Sequence, residues 1–396
     1  MKPYEHQVEI AEKAYKVLKE NLVVYLAMEE RTGKTLTSIL VCEKSKASNI
    51  LIITKKKALD GWEDTINKFK PTKNYTYINY ESLHKLVLTN YDLIIIDEAH
   101  SNLSAYPKVG TIWKKVYTLT RKKPIIYLSA TPSAQTYAQL YHQLKLSSWT
   151  PWVKYKNFYD WHKVYGIPKI VYGAGGRQII QYNEVKTDLV WKDVEHLFIS
   201  YTRKELGFKH EPNDVIHYVE LDSYTKRLYN ELNKDSVIRE LEYMADTPMK
   251  LLVGLFQLEG GTLKIDEDNS VDLLAASKIN YIKKTWGDTK DLVIFYHFKY
   301  EELKLKKHFR NAKILQATSF AEGVDLSMYK TLVIYSMDFS TARYSQRRAR
   351  QANMKREEEI NVHYLLVKGG ISEQVYRTVA VNKTNFIDKY FDKSLL

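Results

Sequence analysis

The chain has 396 residues, 44% hydrophobic and 27% charged, enough for two domains with cores of their own. Its single cysteine, Cys42, excludes an internal disulfide and a cysteine-rich zinc site. No apolar run approaches the roughly 20 residues that span a bilayer, and Met1-Lys-Pro-Tyr-Glu-His has no signal-peptide stretch. A cytoplasmic setting without membrane contact is therefore expected. The balance of 60 Lys and Arg against 47 Asp and Glu, a formal charge of +13, favours a polyanionic partner.

Over the first 145 residues, apolar strand-like runs alternate with amphipathic helix-like segments. The pattern predicts helices over Glu5–Lys19 and Thr35–Lys44 and strands over Leu22–Ala27, Ile50–Ile53, Tyr75–Ile78, Leu93–Ile96 and Ile125–Leu128. Such alternation argues for an α/β fold, a parallel sheet with helices on both faces, whose ligands bind at the carboxyl ends of strands. Residues 146–271 differ. Trp149, Trp152, Tyr155, Phe158, Tyr159 and Trp161 cluster there, followed by Ile170–Ile180, which reads as a hairpin around a glycine turn, and by a charged helical stretch over Ser223–Tyr243. Aromatics interleaved with cations such as Arg177 could stack on bases of a nucleic acid; a subdomain core with a solvated face is the commoner arrangement. A second alternating block begins near residue 272, with strands expected over Leu292–Tyr296, Ile314–Gln316, Leu332–Tyr335 and Val362–Val367. Two α/β lobes, 1–145 and 272–396, are the expected organisation, with 146–271 supplying an inserted aromatic and basic segment, the end of the first lobe and a helical linker.

Two strings carry chemistry. Gly33-Lys34-Thr35 follows the first strand, where a helix N-terminus offers N–H groups to an anion. Gly33 lets the backbone approach phosphate, Lys34 would reach the β- and γ-phosphates, and the Thr35 hydroxyl would sit on Mg²⁺. The full phosphate-loop pattern has a further glycine five residues before Gly33, where Met28 stands, and helicase-type loops carry one at the position of Arg31. Asp97-Glu98-Ala99-His100 follows the fourth strand. There a buried strand delivers Asp97 to the Mg²⁺ shell and places Glu98 to polarise the attacking water. The pair predicts a nucleoside triphosphatase using ATP and Mg²⁺.

On these and further strings the chain resembles a superfamily-two helicase. Tyr4 and Gln7 resemble the Q motif that reads adenine, and Thr32 to Thr35 resemble motif I. Ile52-Ile53-Thr54 through Trp62 resembles motif Ia, Asn79-Tyr80-Glu81 motif Ib, Asp97–His100 motif II, and Ser129-Ala130-Thr131 motif III. Ala317-Thr318 with Gly323-Val324-Asp325-Leu326 resembles motif V, and Gln346-Arg347-Arg348-Ala349-Arg350-Gln351 motif VI. Tyr201-Thr-Arg-Lys204 leading to Val215–Leu221, Val333–Phe339, and Val362–Lys368 followed by Ile371–Tyr376 and Lys383 resemble the Snf/Swi-type translocase branch. The compact size is similar to phage-encoded members.

The resemblance implies two RecA-like lobes with ATP between them. It implies catalytic roles for Lys34, Asp97, Glu98, Arg347 and Arg350, and nucleotide contacts by Gln7, Thr32, Gly33, Lys34, Thr35, Gly323, Asp325 and Gln346. Thr35 and Asp97 would hold the metal. Thr54, Trp62, Tyr80, Ser129, Thr131 and Thr318 would contact nucleic acid or couple it to hydrolysis. The implied activity is DNA-stimulated ATP hydrolysis that moves the protein, as a monomer, along duplex or branched DNA without sequence preference, in replication, recombination or repair and in company with proteins of those pathways. Asn353 stands where motif VI ends in an arginine, leaving Lys355 or Arg356 as candidates to replace it. An RNA helicase, or a DNA-binding or loading module with a degenerate ATP site, are the alternatives.

Overall fold

The computed structural model describes residues 1–86, 90–133, 135–172, 178–266, 270–273, 277–317, 326–352, 354 and 356–381. The chain divides into two compact units, Met1–Gly207 and Phe208–Leu396. The division falls inside the middle segment, 146–271, which is shared between the units.

The first unit runs α1 (Glu5–Asn21), β1 (Val23–Met28), α2 (Lys34–Lys44), β2 (Asn49–Thr54), α3 (Leu59–Phe69), β3 (Asn74–Asn79), β4 (Leu93–Asp97), α4 (Ala99–Asn102), α5 (Thr111–Thr120), β5 (Ile125–Leu128), α6 (Gln139–Leu144), α7 (Phe158–Tyr165), β6 (Lys169–Tyr172), β7 (Gln178–Gln181), α8 (Thr187–Val194) and β8 (Phe198–Tyr201). Six strands form one parallel sheet in the order β3-β2-β4-β5-β1-β8. The inner strands β2, β4 and β5 are continuous apolar runs, as burial on both faces requires. The edge strand β3 alternates between exposed and covered residues. Cys42 lies in α2, fully buried.

The aromatic stretch is core. Trp152, Phe158 and Trp161 are buried with Tyr141 and Tyr165, and the Trp152 indole donates to Asp193 at 3.0 Å. Only Trp149 and Tyr159 keep substantial exposure, so the buried rings cannot stack on bases. The expected hairpin forms as the antiparallel pair β6–β7.

The second unit runs β9 (Pro212–Tyr218), α9 (Ser223–Asp235), β10 (Val237–Ile238), β11 (Tyr243–Met244), α10 (Pro248–Glu259), β12 (Thr262–Lys264), β13 (Ser270–Asp272), α11 (Ser277–Thr285), β14 (Leu292–Tyr296), α12 (Lys299–His308), β15 (Lys313–Gln316), β16 (Thr331–Ile334), α13 (Thr341–Arg348), β17 (Ile360–Leu366) and α14 (Ile371–Tyr376). Its parallel sheet has the order β15-β14-β16-β17-β9. Both large sheets are RecA-like in their parallel strands flanked by helices. The helix expected over Ser223–Tyr243 stops at Asp235, because Ser236 turns left-handed at φ 60°, and the small β10–β11 hairpin follows. No described helix is long and apolar enough to cross a membrane.

Candidate functional site

The carboxyl ends of β1 and β4, separated in the sheet by β5, carry the two motif strings. Between Met28 and Lys34 the chain makes a tight loop. Gly33 caps α2 at φ 86°, and a Cβ there would lie 2.1 Å from the Gln7 amide nitrogen, so any larger residue would be strained and would have to push the Gln7 amide aside. Arg31 also lies in the left-handed region, at φ 68°. The backbone thus takes a glycine-like shape although the glycine is missing, at a cost of about 1–2 kcal/mol for a non-glycine residue. Among the described residues of this unit, the other non-glycine left-handed positions are Leu22 and Lys70, at helix ends, and Glu98. Arg31 and Glu98 are the two that fall on motif strings.

Lys34 starts α2, and its ammonium donates to the carbonyls of Met28 at 2.8 Å and Glu29 at 2.9 Å. Burial pulls its pKa down, while Glu30, Glu98 and Asp97 oppose that fall. The lysine therefore lies within the field of both carboxylates of the second string. Gln7 accepts from the Tyr4 N–H at 2.9 Å and donates to the Gly33 carbonyl at 3.3 Å. Its amide braces the loop from α1. The buried Thr32 hydroxyl donates to the Glu29 carbonyl at 2.7 Å. Thr35 is the second residue of α2.

Asp97 closes β4. Its Oδ2 accepts from the Thr54 hydroxyl at 2.7 Å and the Trp62 indole N–H at 3.0 Å, and its carbonyl accepts from the Tyr80 hydroxyl at 2.6 Å. Three residues expected to contact nucleic acid or couple it to hydrolysis thus converge on one carboxylate residue. All are buried, Trp62 at 2% exposure. Burial, with Glu98 beside it, pushes the Asp97 carboxyl up to about 6, against the pull of Trp62, Thr54 and Lys34. Among the described residues Oδ1 carries no hydrogen bond. A carboxylate oxygen without a hydrogen bond suits Mg²⁺, which takes one or two carboxylates plus phosphate and water. No group of three or more His, Cys, Asp or Glu that could enclose a metal occurs among the described residues.

Glu98 caps α4 in the left-handed region and lies 3.6 Å from His100 Nε2. The other ring nitrogen of His100 meets the Ser129 hydroxyl at 2.7 Å, and that oxygen accepts from the Thr131 N–H at 3.0 Å. A chain of polar contacts therefore links the Glu98 carboxylate to Ser129 and Thr131 at the end of β5.

In the second unit Gln346 and Arg347 lie in α13, and Arg350 lies in the 3₁₀ turn beyond it, where the sequence suggests continued helix. Arg347 is 1% exposed. Among the described residues it pairs with Asp338 at 3.5 Å, and none of its three nitrogens has a hydrogen-bond acceptor. Arg356 is committed locally, to the Ser327 carbonyl at 3.0 Å and to Glu358, which argues against its replacing the arginine absent at 353. Arg177, Thr318, Gly323, Asp325, Asn353 and Lys355 lie outside the described residues.

Arg203, Glu29 and Glu30 were not among the expected site residues, although they surround the loop. Arg203 lies in a string whose resemblance was noted, and two acids directly before a phosphate loop invite a cationic partner.

A family model described as DEAD/DEAH box helicase matches residues 7–140, which include both motif strings. No curated protein matches the chain. Among solved structures, the Sulfolobus solfataricus SWI2/SNF2 ATPase core in complex with dsDNA is 17% identical, with a TM-score of 0.44 over 96% of this chain and 92% of that one. The ATPase core domain from the same organism is also 17% identical, with a TM-score of 0.43 over 98% and 92%. Over residues 7–140 the chain is thus similar to the DEAD/DEAH box helicases of superfamily two.

Proposed function

We propose that the protein is an ATP-driven motor on DNA, of the Snf/Swi-type branch, whose hydrolysis is stimulated by duplex or branched DNA. The observation that carries this reading is the delivery of Lys34 and of the Asp97–Glu98 pair to the carboxyl end of the first sheet, close enough for both carboxylates to act on the lysine. Lys34 would draw the β- and γ-phosphates onto the α2 N-terminus. Thr35 and Asp97 Oδ1 would hold Mg²⁺, which neutralises phosphate charge when bound. Glu98 would orient the attacking water. Thr54, Trp62 and Tyr80, tied to Asp97, would pass the state of a bound strand to the carboxylate that holds the metal. The charge of +13 suits backbone contacts without sequence preference. Service in replication, recombination or repair follows from such a motor.

The test is the ATPase rate of the full chain with single-stranded DNA, duplex, forked DNA and RNA side by side, over a range of salt. Duplex or forked DNA should stimulate most. Its binding should weaken with salt at a log–log slope of roughly −0.9 per phosphate neutralised. Equal rates with and without DNA would sink the motor reading. Stronger stimulation by RNA would make it an RNA helicase, and DNA binding without turnover would make it a loading module.

A further inference from the structure

We propose that Arg203 is the positioning residue that holds the phosphate loop in shape, doing for the chain what the glycine absent at position 31 would otherwise do. The inference rests on the nucleotide reading of that loop.

A non-glycine residue stays left-handed only where its surroundings over-determine it. Arg31 has such surroundings on its N-terminal side. The Glu29 N–H donates to the Tyr201 carbonyl at 3.0 Å, extending the pairing of β1 with β8 beyond the strands. The Arg203 N–H donates to Glu29 Oε2 at 2.7 Å. The Arg203 guanidinium reaches the same carboxylate at 3.7 Å, and meets both the carboxylate and the carbonyl of Glu30 at 3.4 Å. One side chain, 7% exposed, thus grips the two residues directly before Arg31. The planar fork of arginine suits this multiple grip, and a lysine would supply a point charge. On the far side Gln7 holds the Gly33 carbonyl. The strained residue sits between two fixed points, one from α1 and one from the chain beyond β8. Strand β8 is an edge strand paired only with β1, and it is this pairing that brings Arg203 to the loop.

A plain buried ion pair would stabilise the unit regardless of the residue at 31. A brace against strain matters only while strain is there. The experiment measures affinity for a fluorescent ATP analogue and the melting temperature of the full chain. Arg203→Met and Arg203→Lys are each placed in the parent, Arg31→Ala and Arg31→Gly backgrounds. Alanine removes the interactions of the Arg31 side chain but keeps the strained Cβ, whereas glycine relieves the strain. Arg203→Met should weaken the analogue roughly tenfold in the parent and Arg31→Ala backgrounds, the scale of a lost charged hydrogen bond. In the Arg31→Gly background the loss should be under about threefold, and Arg203→Lys should fall between parent and Arg203→Met. Equal losses in all three backgrounds overturn the proposal. If the parent binds no analogue, the nucleotide reading fails and the melting temperatures decide the brace alone. Arg203→Met must then lower the melting temperature less with Arg31→Gly than with Arg31→Ala, and equal drops refute it.

Discussion

The two parallel sheets hold their charged motif residues in opposite ways. In the first unit Lys34 rests on two carbonyls and Asp97 on two donors. In the second, Arg347 is buried beside Asp338, and among the described residues its nitrogens find no hydrogen-bond acceptor. Buried charge without hydrogen bonds is costly, so the difference says where each unit's requirement lies. The first folds around its charges. The second holds a buried cation with few partners among its described residues.

Five substitutions sharpen or break that contrast. The largest effect is expected at motif VI. Arg350→Ala should lower DNA-stimulated turnover by about 10³-fold or more, the low end for losing a charge-stabilising arginine, while leaving ATP and DNA binding intact. Asn353→Ala should do far less, since asparagine carries no cationic fork. Stopped-flow phosphate release and filter binding check both. Normal turnover in Arg350→Ala beside a dead Arg347→Ala would move the role to the buried arginine.

Glu98→Gln comes next. Loss of the water-polarising carboxylate should slow hydrolysis by about 10²-fold or more, with nucleotide affinity kept because Lys34 and Asp97 remain. Parental hydrolysis rates in that variant would overturn the assignment. Trp62→Phe should fill most of the same space and remove one donor from Asp97. Turnover should fall roughly tenfold and half-saturation by Mg²⁺ should shift, in a titration at fixed ATP. An unchanged Mg²⁺ titration would mean that the indole contact is packing alone.

The smallest effect is on stability. The Asp97 carboxyl is raised to about 6 by burial, with Glu98 beside it, so without metal its ionised form costs stability at neutral pH. That cost should vanish as pH falls through about 6 towards the unfolded value near 4. Asp97→Asn keeps an acceptor for Thr54 and Trp62. It should stabilise the metal-free protein at pH 7.5 by on the order of 2 kcal/mol, a rise of roughly 4–8 °C in melting temperature, and by nothing at pH 4. A gain that persists at pH 4 would point to packing instead of charge.

The inner strands were legible because burial on both faces writes them as unbroken apolar runs. Leu93–Ile96 and Ile125–Leu128 lie within or match the observed β4 and β5. The edge strands β8 and β9 were not read as strands. Phe198–Tyr201 is four residues long, and Ile216 and Tyr218 stay exposed on β9, so neither shows a continuous buried run. They come from the middle segment, within which the units divide at Gly207. At the site, motif order located Lys34, Asp97 and Glu98. Spacing could not show that Thr54, Trp62 and Tyr80 all point at Asp97, because that convergence is made by β2, α3 and the turn after β3 folding together. The left-handed Arg31 was equally hidden, since its conformation is imposed by neighbours more than 170 positions away.

The burial of Cys42 within α2 has a practical consequence. The apolar surroundings push its thiol well above the ordinary range, and it is the thiolate that reacts with maleimides. The wild-type chain should accordingly remain unlabelled under native conditions. A pair of surface cysteines, one introduced into each unit, could carry donor and acceptor dyes without first deleting a native thiol. Single-molecule energy transfer could then follow motion between the units through a hydrolysis cycle in a protein otherwise unaltered.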